Sequence, residues 1–226
     1  MAFASTIDVR SVPSSRKSAS EALRRGMANL EQHVKNVQKF GVPAVVALNR
    51  FVTDSDEELQ VVMEAARSWG ARVALTEVWE KGGEGGEALA REVLAALEEG
   101  KAAFKPLYDT EQPIKAKVEA IAKEIYGADG VDFAPAALKA FQQIEAMGYG
   151  NTPICMAKTQ YSFSDDPALL GRPTGFRITV RDAYLSAGAG FVVALAGSIM
   201  TMPGLSKKPA AEGIRVLPDG TIEGLF

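Results

Sequence analysis

Ala44-Val45-Val46-Ala47-Leu48-Asn49-Arg50-Phe51 is the stretch on which the fold turns. Its first five residues are apolar whichever face they present, and the run is too short for a helix, so it predicts a parallel strand buried on both sides. Upstream, Leu23, Met27, Leu30, Val34, Val37 and Phe40 recur at three- and four-residue intervals, which predicts an amphipathic helix over residues 18–40. Downstream, Asp54 or Ser55 can cap a second helix reaching Trp69, Gly70 ends it, and Val73-Ala74-Leu75 forms the next short strand. Glu77-Val78-Trp79 and the loop Lys81-Gly82-Gly83-Glu84-Gly85-Gly86 come next, then a helix marked by Leu89, Val93, Leu94 and Leu97. Two successive strand ends therefore bring one aromatic ring each, Phe51 and Trp79, to the same sheet edge. In open α/β sheets the carboxyl edge is where ligands bind.

Beyond Gly100 the pattern changes. Pro106 and Pro113 punctuate a linker, and helical spacing returns over residues 114–126 and 135–147. Phe176-Arg177-Ile178-Thr179-Val180 alternates as a strand does, Phe191-Val192-Val193-Ala194-Leu195 is a core strand, and Val216 to Ile222, with Pro218-Asp219-Gly220 between them, closes as a hairpin. The expected fold class is α/β: a partial parallel sheet with flanking helices, followed by a mixed α+β carboxyl-terminal lobe. The expected division is residues 1–18 as a disordered tail foreign to the domain, 19–111 as the α/β lobe and 112–226 as the mixed lobe.

Composition narrows the partners. The 226 residues are 47% hydrophobic and 23% charged, with a formal net charge of -3, enough to bury a sizeable core and without the basic block that nucleic acid or an anionic membrane would require. A single cysteine, Cys155, and a single histidine, His33, give neither a disulfide nor a zinc cluster, so the expectation is a reduced, cytoplasmic protein without a metal site. Residues 1–18 are rich in serine and arginine, with Asp8 the only acid. They fit a disordered tail or, less well, an organellar transit peptide. Residues 183–205 carry no charge and have the length of a membrane span, yet Gly188, Gly190, Gly197 and Ser198 interrupt them, which points to core sheet.

The candidate chemistry lies in four places. Gly82, Gly83, Gly85 and Gly86 precede a helix, where closely spaced glycines either make a tight turn or let backbone N–H groups converge on an anion; both readings stand. The loop is not of the G-x-x-x-x-G-K-[ST] type, which occurs nowhere in the chain. Phe51 and Trp79 lie among polar neighbours, a setting in which two facing rings could hold a flat heteroaromatic ligand rather than fill a core. The polar run from Lys158 through Asp165-Asp166-Pro167 reads either as a site or as a turn in which Ser164 and Asp165 cap a short helix starting near Pro167. His33 has no triad partner in sequence and reads as a surface or packing residue, and Cys155, between Ile154 and Met156, reads as a buried, inert thiol. No residue reads as catalytic.

Several blocks in a fixed order then carry a resemblance: Val45 to Phe51, Glu77-Val78-Trp79 with the glycine loop, the stretch between Pro153 and Pro167, and Thr201-Met202-Pro203-Gly204-Leu205. From about Ala19 to Phe226 the chain resembles formate tetrahydrofolate ligase. The resemblance implies that ATP phosphorylates formate and that the N10 amine of tetrahydrofolate attacks the formyl phosphate, giving 10-formyltetrahydrofolate, ADP and phosphate. It also implies that Phe51 and Trp79 hold the pterin ring, with Leu75 lining the same pocket. The family often has proline after that phenylalanine, where this chain has Val52, so a less restrained loop is expected. ATP and Mg²⁺ are implied too, but the family's phosphate-binding loop belongs to an amino-terminal region that these 226 residues do not contain. The expectation is therefore a truncated ligase, inactive alone or completed by a separate chain that supplies the ATP site. The alternative is a non-catalytic folate-binding or oligomerising module.

Overall fold

In the computed structural model, residues 16–199 and 208–224 are described. Most of residues 1–18, and the Thr201 to Leu205 block that carried part of the resemblance, lie outside the described residues. The chain opens with α1 (Arg16–Lys39), whose Leu23, Met27 and Val34 are buried, as the three- and four-residue spacing requires. β1 (Val45–Asn49) follows, then α2 (Asp56–Ser68) and β2 (Arg72–Thr76). β1 and β2 pair in parallel, Val45 opposite Arg72 and Asn49 opposite Thr76. Of the two candidate caps, Ser55 is the one used. Its hydroxyl accepts from the Glu58 N–H while the Glu58 carboxylate accepts from the Ser55 N–H, closing a capping box.

After β2 the chain makes one helical turn, α3 (Val78–Lys81), a 3₁₀ turn over Gly82–Gly86, and α4 (Glu87–Glu98). Of the four apolar residues that mark α4 in sequence, only Leu89 is half-buried. Val93, Leu94 and Leu97 are exposed, and Ala96 is the buried position. The orientation is fixed from the other side of the helix, where Glu92 and Glu99 both pair with Arg72 of β2. A small alanine then allows the close approach to the strand.

The second sheet has the order β3-β5-β6-β4, built from β3 (Gly130–Phe133), β4 (Ile154–Ala157), β5 (Arg177–Ser186) and β6 (Phe191–Ala196). β5 and β6 form the antiparallel centre, and β3 and β4 add in parallel at the two edges. One face is covered by α5 (Ile114–Glu124) and α6 (Pro135–Ala146): Ile114, Val118, Phe141 and Ile144 pack with Ile178, Val180, Val192 and Ala194 into the largest core. β5 keeps strict alternation only to Val180. The register then slips between Val180 and Asp182, so the buried set moves from Phe176, Ile178 and Val180 to Ala183. One extra residue, Arg181, forms a bulge, and a bulge inverts which face each later side chain takes. β7 (Arg215–Val216) and β8 (Ile222–Glu223) make the closing hairpin. No described helix is long and apolar enough to cross a membrane, and Phe191 to Ala196, from the uncharged segment, is the most buried strand of the sheet.

α5 carries a lysine, Lys117, with 0% of its surface exposed. Its ammonium donates to the carbonyls of Thr110, Gly150 and Thr152 at 3.0, 2.6 and 2.7 Å. All three protons are thus used, and one side chain ties α5 to the segment before it and to the loop between α6 and β4.

Three expectations need correction. β1 pairs in parallel but is not buried on both sides: none of its residues is buried, and Ala47 and Asn49 are exposed, because the sheet has only two strands among the described residues. Cys155 is exposed, not buried. It lies on edge strand β4, where side chains alternate, and its neighbours Ile154 and Met156 take the core side. No helix begins at Pro167 either. The polar run closes on itself instead, with Ser162 Oγ accepting from the Ser164 N–H, Ser164 Oγ from the Asp166 N–H and Asp166 Oδ1 from the Ala168 N–H. Asp165 reaches across to the Thr179 N–H at 2.8 Å. These side-chain bonds give the backbone an alternative to a helix. His33 packs on the Phe163 ring at 4.7 Å, and the Lys158 ammonium lies 5.0 Å from the centre of the Tyr126 ring while donating to the Thr159 and Ser162 carbonyls. Burial, opposed by Asp165, brings the Lys158 pKa down to about 8.

Candidate ligand-binding site

The carboxyl ends of β1 and β2 lie side by side because the strands pair in parallel, so the residues after Asn49 and after Thr76 emerge at the same edge. Arg50 continues the ladder by donating its N–H to the Thr76 carbonyl at 3.0 Å. Phe51 then leaves the strand in a turn closed from both directions: its N–H donates to Asp54 Oδ2 at 2.8 Å, and the Asp54 N–H donates back to the Phe51 carbonyl at 3.0 Å. Asp54 thus supplies a restraint on the loop in which Val52 occupies the position after the phenylalanine. Arg50 pairs with Asp56 at the start of α2, at 3.0 Å.

On the other strand, α3 turns Trp79 back toward β1, and its indole Nε1–H donates to the Arg50 carbonyl at 2.5 Å. Gly85 makes this turn possible. A Cβ there would lie 2.5 Å from both the carbonyl carbon and the oxygen of Glu77, and the close approach is used by a Glu77 N–H to Gly85 carbonyl bond of 3.0 Å. Gly82 takes a positive φ of 61° at the entry to the 3₁₀ turn. Gly83 and Gly86 are not crowded by backbone. The Glu77 side chain accepts from Lys81 at 2.7 Å, and that bond, more than the attraction of nearby charge, holds its carboxyl below the usual carboxylate range.

Phe51 and Trp79 consequently face each other. Their ring centres are 6.3 Å apart with the planes 19° from parallel, and the rings are 49% and 53% exposed. An aromatic pair that is half open to water while close to parallel forms a cleft. A flat ring held between them needs about 3.5 Å to each face, or roughly 7 Å between the two ring planes, so the pair would open around a ligand. Leu75 precedes Thr76 on β2 and lies in register with Leu48, which packs on the α1–α2 side near Val62. Thr76 is 2% exposed and donates its hydroxyl to Asn49 Oδ1 at 2.5 Å, bridging the two strand ends directly beneath the Arg50 peptide. This bridge depends on strand register, and no local sequence signal announces it.

A parallel strand pair with an aromatic cleft at its carboxyl edge is the geometry of an α/β protein with a small-molecule site. The family of formate–tetrahydrofolate ligases matches residues 8–226 of the chain, and the chain belongs to that family. The match begins earlier than the Ala19 that the sequence blocks indicated. Family membership implies Mg²⁺ and ATP. The G-x-x-x-x-G-K-[ST] motif does not occur in these 226 residues, and among the described residues no three His, Cys, Asp or Glu side chains converge.

Proposed function

We propose that this chain contributes the tetrahydrofolate site of the ligase reaction, with the pterin ring held between Phe51 and Trp79 and Leu75 near the floor. The near-parallel, half-exposed ring pair at 6.3 Å supports this reading most directly. Stacking against two faces recognises a flat ring without needing a charge, and the indole is already fixed by its bond to the Arg50 carbonyl. Formate activation requires a phosphate-binding loop, and these 226 residues contain no such motif, so by themselves they are expected to bind folate without turning it over. The observation favouring a binding or oligomerising module is the first sheet. Among the described residues it has two strands, each with one edge unpaired, and parallel strands are ordinarily buried in larger sheets.

Tetrahydrofolate titration followed by Trp79 fluorescence, in a Trp69→Phe background, tests the proposal. Phe51→Ala and Trp79→Ala, the latter read by calorimetry, should each weaken binding by roughly tenfold to a hundredfold, since one stacked face is worth about 1–3 kcal/mol. Unchanged affinity in both variants rejects the site. Formation of 10-formyltetrahydrofolate by the purified chain given ATP and formate rejects the claim that it does not turn over alone.

A further inference from the structure

Asn49 lies two residues before Phe51, and its neighbour Arg50 provides the carbonyl that holds the Trp79 indole. Its side chain is exposed, but one end of it is not free. Thr76, 2% exposed, needs a partner for its hydroxyl and donates it to Asn49 Oδ1. In that bond the carboxamide oxygen faces Thr76 and the NH₂ group lies on the side away from it. Among the described residues the two outward N–H groups have no partner. A buried hydroxyl thus engages the oxygen of an exposed carboxamide at the strand end that leads into Phe51.

From this we infer that Asn49 is a recognition residue for the ligand of the Phe51–Trp79 cleft, donating from its amide to a carbonyl oxygen on the edge of the stacked heterocycle. The inference rests on the folate reading above. Stacking selects a flat ring but does not distinguish its edge substituents; an oriented donor does. In a pterin the exocyclic 4-oxo group is the acceptor such a donor suits, and a 4-amino pteridine presents a donor at the same place.

Asn49→Asp separates recognition from a merely structural bridge. A carboxylate still accepts the Thr76 hydroxyl, so the bridge between the strand ends is kept, and only the outward donors are replaced by an acceptor. Calorimetry with tetrahydrofolate and with a 4-amino pteridine analogue should show the wild-type chain favouring the 4-oxo ligand. Asn49→Asp should bind that ligand about tenfold or more weakly and reverse the preference. Thr76→Val, which frees the amide to rotate without leaving a buried hydroxyl, should weaken the preference while retaining binding. If Phe51→Ala and Trp79→Ala abolish binding but Asn49→Asp keeps wild-type affinity and preference, Asn49 is only a bridge and the inference is overturned while the cleft stands. If the wild-type chain binds neither ligand, both the cleft and the inference are overturned.

Discussion

Replacing Lys117 with methionine keeps the length and apolar stem of the side chain and removes only the ammonium. Three carbonyls, those of Thr110, Gly150 and Thr152, then lose the donor that the buried ammonium supplies. A hydrogen bond to a charged group contributes about 1.5–3 kcal/mol, so the three together lose roughly 5–9 kcal/mol of pairing, part of it recovered as water reaches the exposed Thr110 and the half-buried Gly150 and Thr152. Against this stands relief from burying a cation, a penalty of several kcal/mol after relaxation. The difference leaves a net expectation of about 1–4 kcal/mol of lost stability. In urea this lowers the midpoint by roughly 0.5–2 M. Hydrogen exchange should place the loosening at the start of α5 and in the α6–β4 loop.

The same change predicts a pH signature. Burial, outweighing Glu145 and Glu111, lowers the Lys117 pKa from its usual 10.5. As pH rises toward 10.5, the folded chain gives up this proton before the unfolded chain does. The unfolded state then binds more protons, so Lys117 makes the wild type gain stability with rising pH, a gain lost again as pH falls through the lowered pKa. Lys117→Met should lack that increment. A loss below about 1 kcal/mol would show that the burial cost cancels the three bonds and would refute the reasoning.

Two further predictions concern smaller groups. Burial first, and the Lys158 ammonium second, hold the His33 pKa below 6.5; on acidification the unfolded chain therefore takes up this proton before the folded one, and stability falls. His33→Phe should flatten the acid limb of the stability curve between about pH 7 and 5, and an unaltered slope there argues that His33 does not contribute. Gly85→Ala forces a Cβ against the Glu77 backbone at 2.5 Å, so it should displace Trp79 and weaken tetrahydrofolate binding, whereas Gly83→Ala, with nothing within 4 Å, should not. Equal effects of the two alanines, measured by Trp79 fluorescence, would remove Gly85 from its positioning role.

The elements that could be read in sequence are those whose signal is local. β1 and α2 follow from an apolar run, a cap and a terminating glycine, and α1, α5 and α6 from periodicity. What escaped depends on contacts across the chain. β3 is only Gly130-Val131-Asp132-Phe133, and its Asp132 makes sense as the partner of Arg177 on β5, at 2.7 Å. The Arg181 bulge and the outward turn of Val93, Leu94 and Leu97 are set by partners far along the chain, and Cys155 is exposed because β4 became an edge. At the candidate site, the emergence of Phe51 and Trp79 at one edge was legible from two strand ends. The bonds that orient the cleft, Trp79 to Arg50 and Thr76 to Asn49, belong to a register that a single strand cannot encode.

The uneven distribution of core has a consequence for how the protein responds to its surroundings. Among the described residues, sixteen buried ones form one cluster under the second sheet, whereas the helices and strands that carry the cleft rest on two clusters of three. The cleft is therefore built on the part of the molecule that opens most easily. A folate spanning Phe51 and Trp79 would join the ends of β1 and β2 and act as an added piece of core. At a hundred times its dissociation constant it contributes about 2.7 kcal/mol to stability. If the proposed folate site is correct, the steady-state level of the folded chain would follow folate supply, and the protein's own lifetime would gauge that ligand.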